Sequence, residues 1–333
     1  MNLEDVAKRA KVSTATVSRV LNNTNTVKNS TRIRVQKAVE ELKYHPNLHA
    51  RTLAGGKSRT IGMIVSNLEN PFFLDVFQAL EADAHRAGYE VVAANTGYRA
   101  EQLVASIRLM IGRRVAGLAA IVSEMDPVLI QELTDSKLPV VFYDVGNSTK
   151  NITCIRVNYR RGVEKIVEYL HDVGHQRMAF VGHHSALAPI NDRRTSFLDA
   201  VARYSPKVKA QTVADLDSLE GGRQAARELL SSGFKPTAIV CVNDFMALGV
   251  LRELREAGLR VPKDVSVTGF DNITLSEFCY PALTTAHIPR DRIGHIAFES
   301  LALEGDNAQP SGREIVINPE FVVRDSTGPA PNG

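Results

Sequence analysis

Long apolar runs, paired cysteines and glycine-rich nucleotide loops are scarce or missing from these 333 residues, and each absence excludes something. No stretch approaches the roughly 20 consecutive apolar residues that a membrane-spanning helix needs. The first residues are polar and helically patterned rather than a charged-then-apolar leader, so no secretory signal is expected. The cysteines, Cys154, Cys241 and Cys279, are odd in number, far apart and flanked by apolar residues. They read as reduced core residues of a cytoplasmic protein, without metal-ligand spacing. No two glycines stand two residues apart, which excludes the G-x-G-x-x-G dinucleotide fingerprint. Gly56-Lys57-Ser58 could close a phosphate loop, but Arg51 stands where that loop needs glycine and no strand precedes it. His183 and His184 could ligate a metal or act as a base, yet two adjacent histidines in a loop after a strand are ordinarily just solvated. No catalytic group, cofactor or metal is expected.

Charge is present but unevenly placed. The net is only +3, yet residues 1–60 carry 12 Lys and Arg against 4 Asp and Glu, whereas the remainder carries 28 against 33. A basic head on an acidic body is the electrostatic footprint of a nucleic-acid-binding module joined to something else. The length is too great for one compact core and implies two or three units.

The head is organised around LEDVAKRAKVSTATVSRVLN, Leu3 to Asn22. Leu3, Val6, Ala7 and Ala10 recur at helical spacing, with Asn2 as N-cap and Asp5 completing a capping box. Lys11-Val12 forms the turn and Ser13 caps a second helix that points Val17, Val20 and Leu21 inward. Thr14, Ala15, Ser18 and Asn22 then line the exposed face beside Arg19. Small polar side chains next to a basic one suit a DNA major groove, where hydroxyls and guanidinium reach base edges. A third helix is expected over Thr31 to Lys43, with Val35, Ala38, Val39 and Leu42 on one face, ended by Pro46.

The run DVAKRAKVSTATVSRVLN, then VKNSTR, YHPN and ARTLAG leading into an Ile-Gly strand, resembles the lactose-repressor/galactose-repressor family of bacterial transcription regulators. VSTATVSRVLN and VKNSTR look most like the catabolite-control type of DNA reader. The resemblance implies a homodimeric repressor that binds pseudo-palindromic, double-stranded operator DNA. The expected DNA-binding set is Ser13, Thr14, Ala15, Thr16, Ser18, Arg19 and Asn22, joined by Ala50 and Leu53 of a hinge helix. That hinge spans Asn47 to Ala54, is too short to be stable alone, and carries the leucine that wedges into the minor groove. The domain boundaries expected are 1–46 for the helix-turn-helix, 47–59 for hinge and linker, and 60–333 for an effector-binding and dimerising body.

From Ile61 the pattern changes to short apolar runs alternating with amphipathic helices. IGMIV, EVVAA, GLAAIV, PVVFY, TCIRV, RMAFVG, TAIVCV and VSVTGF read as buried parallel strands. Helices between them end in HRAG, HDVG and REAG, glycine stops. The fold class expected is an all-α three-helix head plus a doubly wound α/β body of two lobes with a ligand cleft between them. It resembles periplasmic sugar-binding proteins, and its lobe change should fall near Asn158, with later crossovers near Ile288-Pro289 and Ile317-Pro319.

That resemblance also implies effector-binding positions: Asn70, Phe72 and Phe73 after the first strand, then Asp144, Arg193, Leu216, Asn243, Asp271 and His287. The chemistry is coherent, since carboxylates accept from hydroxyls, Arg193 donates in a rigid fork, and aromatic faces cover C–H surface. A sugar or sugar derivative is the expected effector. Val145 stands where monosaccharide binders usually place Arg, Leu216 replaces a common aromatic, and His287 replaces an amide. These departures set a simple ribose-like ligand in doubt and leave larger saccharides, a purine, a phosphorylated metabolite or a phosphoprotein corepressor open. The ending EFVVRDSTGPAPNG is too polar and Pro/Gly-rich for a tetramerising coiled coil, so a dimer is expected.

Overall fold

The computed structural model describes residues 2–21, 27–44, 58–124, 127–136, 138–184, 187–301 and 312–331. The chain divides into two compact units, Met1–Ser58 and Arg59–Gly333. Asn22 and the expected hinge, with Ala50 and Leu53, lie outside the described residues.

In the first unit, helices α1 (Leu3–Ala10), α2 (Thr14–Leu21) and α3 (Asn29–Glu41) pack around Val6, Val17 and Val35, all fully buried. The capping box forms in full: Asp5 N donates to Asn2 Oδ1 and Asn2 N donates to the Asp5 carboxylate. Lys11 closes α1 in the left-handed region, φ 53°, and Val12 N bonds Ala7 O at 3.0 Å, making the tight turn. Helix α3 starts two residues earlier than expected and stops at Glu41, ahead of Pro46. Its stop is local: Lys43 turns to φ 45° and Tyr44 N bonds back to Val39 O.

The second unit holds two lobes. Lobe 1 is a six-stranded sheet ordered β11-β5-β4-β3-β1-β2, every neighbouring pair parallel. Its strands are β1 (Thr60–Val65), β2 (Glu90–Asn95), β3 (Gly117–Ile121), β4 (Val140–Tyr143), β5 (Ile152–Val157) and β11 (Glu314–Ile317). Side chains alternate across a strand, so Ile61, Met63 and Val65 face α4 (Pro71–Arg86) and α12 (Arg290–Ser300), whereas Ile64 faces α5 (Ala100–Gly112) and α6 (Pro127–Ser136). The β2 run, EVVAA, is apolar but contains no buried residue. The expectation of a buried strand fails there because β2 is the sheet edge.

Lobe 2 contains a parallel sheet ordered β7-β6-β8-β9, from β6 (Arg177–His183), β7 (Lys209–Asp215), β8 (Ala238–Cys241) and β9 (Ser266–Thr268). An antiparallel pair, β10 (Thr285–His287) with β12 (Glu320–Val322), lies beside it. Its helices are α7 (Tyr159–Asp172), α8 (Ala188–Ala202), α9 (Leu219–Ser231), α10 (Asp244–Glu256) and α11 (Thr274–Phe278). The chain changes lobe where expected. At the first crossing Asn158 caps α7, and its Nδ2 bonds Asn318 Oδ1 of a returning crossing at 3.1 Å. The remaining one passes through Ile288-Pro289, between β10 and α12.

Helices α9 and α10 cross at backbone contact. A Cβ on Gly249 would overlap the Leu219 carbonyl, and one on Gly222 would overlap Met246 O. Gly249→Ala should therefore lower stability by about 1–3 kcal/mol, the usual cost of overpacking. Gly112→Ala, at a helical position with open space around it, should be neutral or gain up to about 1 kcal/mol. Urea denaturation of both variants checks the contrast; equal effects would mean that the close crossing carries no energetic weight.

Candidate functional site

Two sites emerge, one in each unit. On the head, Ser13, Thr14, Ala15 and Arg19 are exposed, and Thr16 and Ser18 are half-buried. The Ser13 hydroxyl accepts from Thr16 N at 3.2 Å and pairs with Thr16 Oγ1 at 3.0 Å. Ser13 thus spends its side chain on starting α2, which leaves Thr14, Ala15 and Arg19 as the freely presented face.

Between the lobes of the second unit lies a narrow cleft with a cavity volume of about 30 Å³. Both lobes contribute through the carboxyl ends of strands and the first turns of helices, the usual ligand position in open α/β sheets. Asn70 and Asn243 each do two things. As N-caps, their Oδ1 atoms accept from Phe72 N at 3.1 Å and Met246 N at 2.8 Å. Capping fixes the amide orientation, so both Nδ2 groups point toward the seam, where they donate to the Asp217 carboxylate.

Arg193 is the buried cation of the cleft, 8% exposed. Its Nε donates to Pro189 O at 3.2 Å and its Nη1 to Val242 O at 2.9 Å. Its plane lies 4.3 Å over the Tyr159 ring and 5.6 Å from that of Phe270. No described residue accepts from Nη2. Asp271 faces the same space, 6% exposed, at a left-side φ of 109°. No described residue donates to its carboxylate, and its backbone is clamped by bonds to Ala286 O and from Ile288 N. A non-glycine residue held there is strained, and such strain concentrates at ligand sites.

Six of the expected positions therefore meet at one cavity: Asn70, Phe72, Phe73, Arg193, Asn243 and Asp271. Three do not line it. Asp144, at φ 59°, turns its carboxylate back to accept from Val157 N at 2.7 Å and from the Tyr159 hydroxyl, so it supports the ring beneath Arg193 instead of facing the cleft. Leu216 is 63% exposed and outside the cavity. His287 pairs through Nδ1 with Asn272 Nδ2 at 3.1 Å. The cavity wall adds Tyr98, Ser123, Tyr143, Tyr159 and Asp217, which sequence reasoning missed, and His183, which was expected to be merely solvated but ends β6 half-buried against the cleft. Their one prior signal was position: each sits in or beside the end of a strand or the start of a helix.

Burial governs the electrostatics. It pushes the Tyr98, Tyr143 and Tyr159 phenols well above their ordinary value, so they remain hydrogen-bond donors at neutral pH. It holds the His183 imidazole below its ordinary value, hence neutral. Asp271 is pushed well above the usual carboxylate range by burial, partly countered by Arg193. Asp144 is raised from 3.8 to about 6 by burial against its two hydrogen bonds. Asp244, buried at the start of α10, rises from 3.8 to about 6 for the same reason, although Ser276, Thr285 and Ile273 N donate to it.

The sign of the pH dependence follows. A carboxyl whose folded pKa is raised binds its proton more tightly in the folded state, so the stabilisation is complete below the unfolded value and is lost as the pH rises through about 6. Thermal midpoints should fall between pH 4 and pH 6.5. In Asp244→Asn that fall should be shallower, because the amide can still bond Thr285 and Ser276 without carrying charge. A wild-type profile that is flat or rising across this window would contradict the assignment.

Comparison with known proteins finds a match for each of the two units. The model for bacterial regulatory proteins of the lacI family matches residues 2–47, and the periplasmic binding protein-like domain matches residues 167–327. The chain is 36% identical over 327 residues to the HTH-type transcriptional repressor PurR of Vibrio vulnificus (strain CMCP6), covering 97% of this chain and 98% of that one. Among solved structures it resembles the lac repressor dimer bound to operator and the anti-inducer ONPF, with a TM-score of 0.83 and 29% identity over 98% of this chain and 99% of the other. A lacI-family regulator of Enterococcus faecium with bound ribose gives a TM-score of 0.72 and 27% identity over 81% and 99% of the two chains. The chain thus belongs to the lacI family of bacterial regulatory proteins, with a DNA-binding helix-turn-helix head and a two-lobed, periplasmic-binding-protein-like body.

Proposed function

We propose that this repressor is ligand-responsive: a small hydroxyl-bearing effector, a sugar or sugar derivative, occupies the inter-lobe cleft and changes operator affinity. The observation that carries this reading is the Arg193–Asp271 wall, where Nη2 of a buried guanidinium and a buried carboxylate face the same cavity without a described partner. Burying such groups is costly unless something bonds them. Hydroxyls satisfy both, by donating to Asp271 and accepting from Arg193, while Phe72, Phe73 and Tyr159 offer faces for C–H surface. The ribose carried by the Enterococcus faecium relative is consistent with that chemistry.

On this reading residues 1–46 contact a pseudo-palindromic operator, 47–59 connect, and 60–333 bind the effector and pair with a second copy. The pairing has a candidate surface on lobe 2: Leu275, Phe278 and Tyr280 are 48%, 78% and 93% exposed, an apolar cluster of the kind that marks protein interfaces.

Arg19→Ala should weaken operator binding by at least about 1 kcal/mol, the lower bound for a groove-reaching arginine. Fluorescence anisotropy on an operator duplex at fixed salt measures it; unchanged affinity removes Arg19 from the reader. Asp271→Ala and Arg193→Ala should fold and bind operator yet lose response to effector, because each leaves buried ligand hydroxyls unpaired. Calorimetry with the sugar that shifts the wild-type melting temperature tests this, and wild-type affinity in both variants would refute the cleft assignment.

A further inference from the structure

One carboxylate of lobe 2 gathers several side-chain donors of lobe 1 across the cleft. We propose that Asp217 is a catch which holds the lobes shut without ligand, so that an effector larger than the narrow closed cleft is admitted only as the catch releases. The second clause rests on the effector reading above; the first does not.

Asp217 belongs to lobe 2, in the loop between β7 and α9, and is 7% exposed. Donors from lobe 1 converge on it. Asn67 Nδ2 bonds its carbonyl at 3.0 Å and its Oδ2 at 3.2 Å; Asn70 Nδ2 and the Tyr98 hydroxyl reach the same Oδ2 at 3.4 and 2.5 Å. Asn243 Nδ2, from its own lobe, takes Oδ1 at 2.7 Å. Among the described residues no Lys or Arg pairs with it, so its charge is solvated wholly by neutral donors, most of them from the opposite lobe. Hydrogen bonds to an ionised acceptor are about twice as strong as neutral ones, and parting the lobes breaks all the lobe 1 bonds together.

Both halves of the catch are stiff. On the lobe 2 side, Ser218 caps α9 through Gly221 N at 2.9 Å, and Ser218 N bonds Leu216 O at 2.8 Å. That turn lies flat on the helix only because position 221 has no side chain, since a Cβ there would overlap Leu216 O. On the lobe 1 side, Asn67 Oδ1 accepts from Glu69 N at 3.0 Å and Asn70 is held as an N-cap, while the Tyr98 ring reaches across the cleft to pack 4.9 Å from that of His183 in lobe 2. Preformed partners lose little freedom on meeting.

The catch also decides which groups remain for a ligand. Asn70, Asn243 and Tyr98 line the cavity but have their donors committed to Asp217. Arg193 Nη2 and the Asp271 carboxylate do not. The Arg193–Asp271 side is therefore open to a ligand from the outset, whereas the asparagine amides become available to it only once the catch releases.

The test is small-angle X-ray scattering of the full-length protein without ligand, so its outcome does not depend on the effector assignment. Asp217→Ala should increase the radius of gyration relative to wild type, and hydrogen exchange of residues 67–73 should speed up. Asn67→Ala and Tyr98→Phe, which remove lobe 1 donors and leave the Asp217 loop intact, should shift both readouts in the same direction by less. They also preserve the test should Asp217→Ala fail to fold. Scattering and exchange indistinguishable from wild type in Asp217→Ala, or in both lobe 1 variants when it does not fold, would overturn the proposal. An opened Asp217→Ala alongside an Asp271→Ala variant that binds effector normally would keep the catch and reject the effector reading.

Discussion

A guanidinium buried at the seam of two lobes constrains everything around it. Arg193 cannot leave water without acceptors, and the fold supplies two from separate elements, Pro189 O at the start of its own helix and Val242 O after β8, while the nearby Asp271 favours its charge without bonding it. The Tyr159 ring beneath it is held in turn by Asp144, whose left-handed backbone aims the carboxylate back along the sheet. Arg193 belongs to lobe 2, Asp144 to lobe 1, and Tyr159 to the first turn after a crossing. One buried charge thereby ties both lobes to the place where the chain passes between them.

The same economy appears at the helix starts. Asn70 and Asn243 satisfy a backbone donor with one amide atom and project the other into the cleft. A cap residue is immobile because its helix is, so a polar group on it arrives preoriented. Tight helix contacts extend that rigidity through lobe 2. Gly222 and Gly249 let α9 and α10 touch at the backbone, and Arg223 and Arg227 bind Glu253 across the same junction at 3.2 and 2.8 Å.

Much of this was legible in the residues. Each apolar run from IGMIV to VSVTGF is a parallel strand, the glycine stops at Gly88, Gly174 and Gly258 are left-handed, and the crossings fall at the expected positions. What was illegible has identifiable causes. KAQTVAD forms β7 although only Val213 in it is buried, because an edge strand needs little apolar content once a neighbour offers a ladder. Strands β10, β11 and β12 are only three or four residues long, too short for periodicity to register. The expectation for Leu216 missed by one position: Asp217, its neighbour, lines the cavity.

Local chemistry determines what the sequence alone could establish: the capping box at Asn2, the spacing of Val6, Val17 and Val35, the alternation of apolar strands with amphipathic helices, and the basic head. These depend on neighbours within a few residues or on periodicity, so they survive without a fold. The tertiary structure alone decided which polar groups at the strand ends face the cleft. Asp144 and Asp271 both end a strand and both adopt positive φ, yet one carboxylate is consumed by a backbone amide and a phenol while the other stays open. The difference is set by partners distant in sequence or across the seam, and hydrogen-bond directions of that kind exist only once the chain has packed.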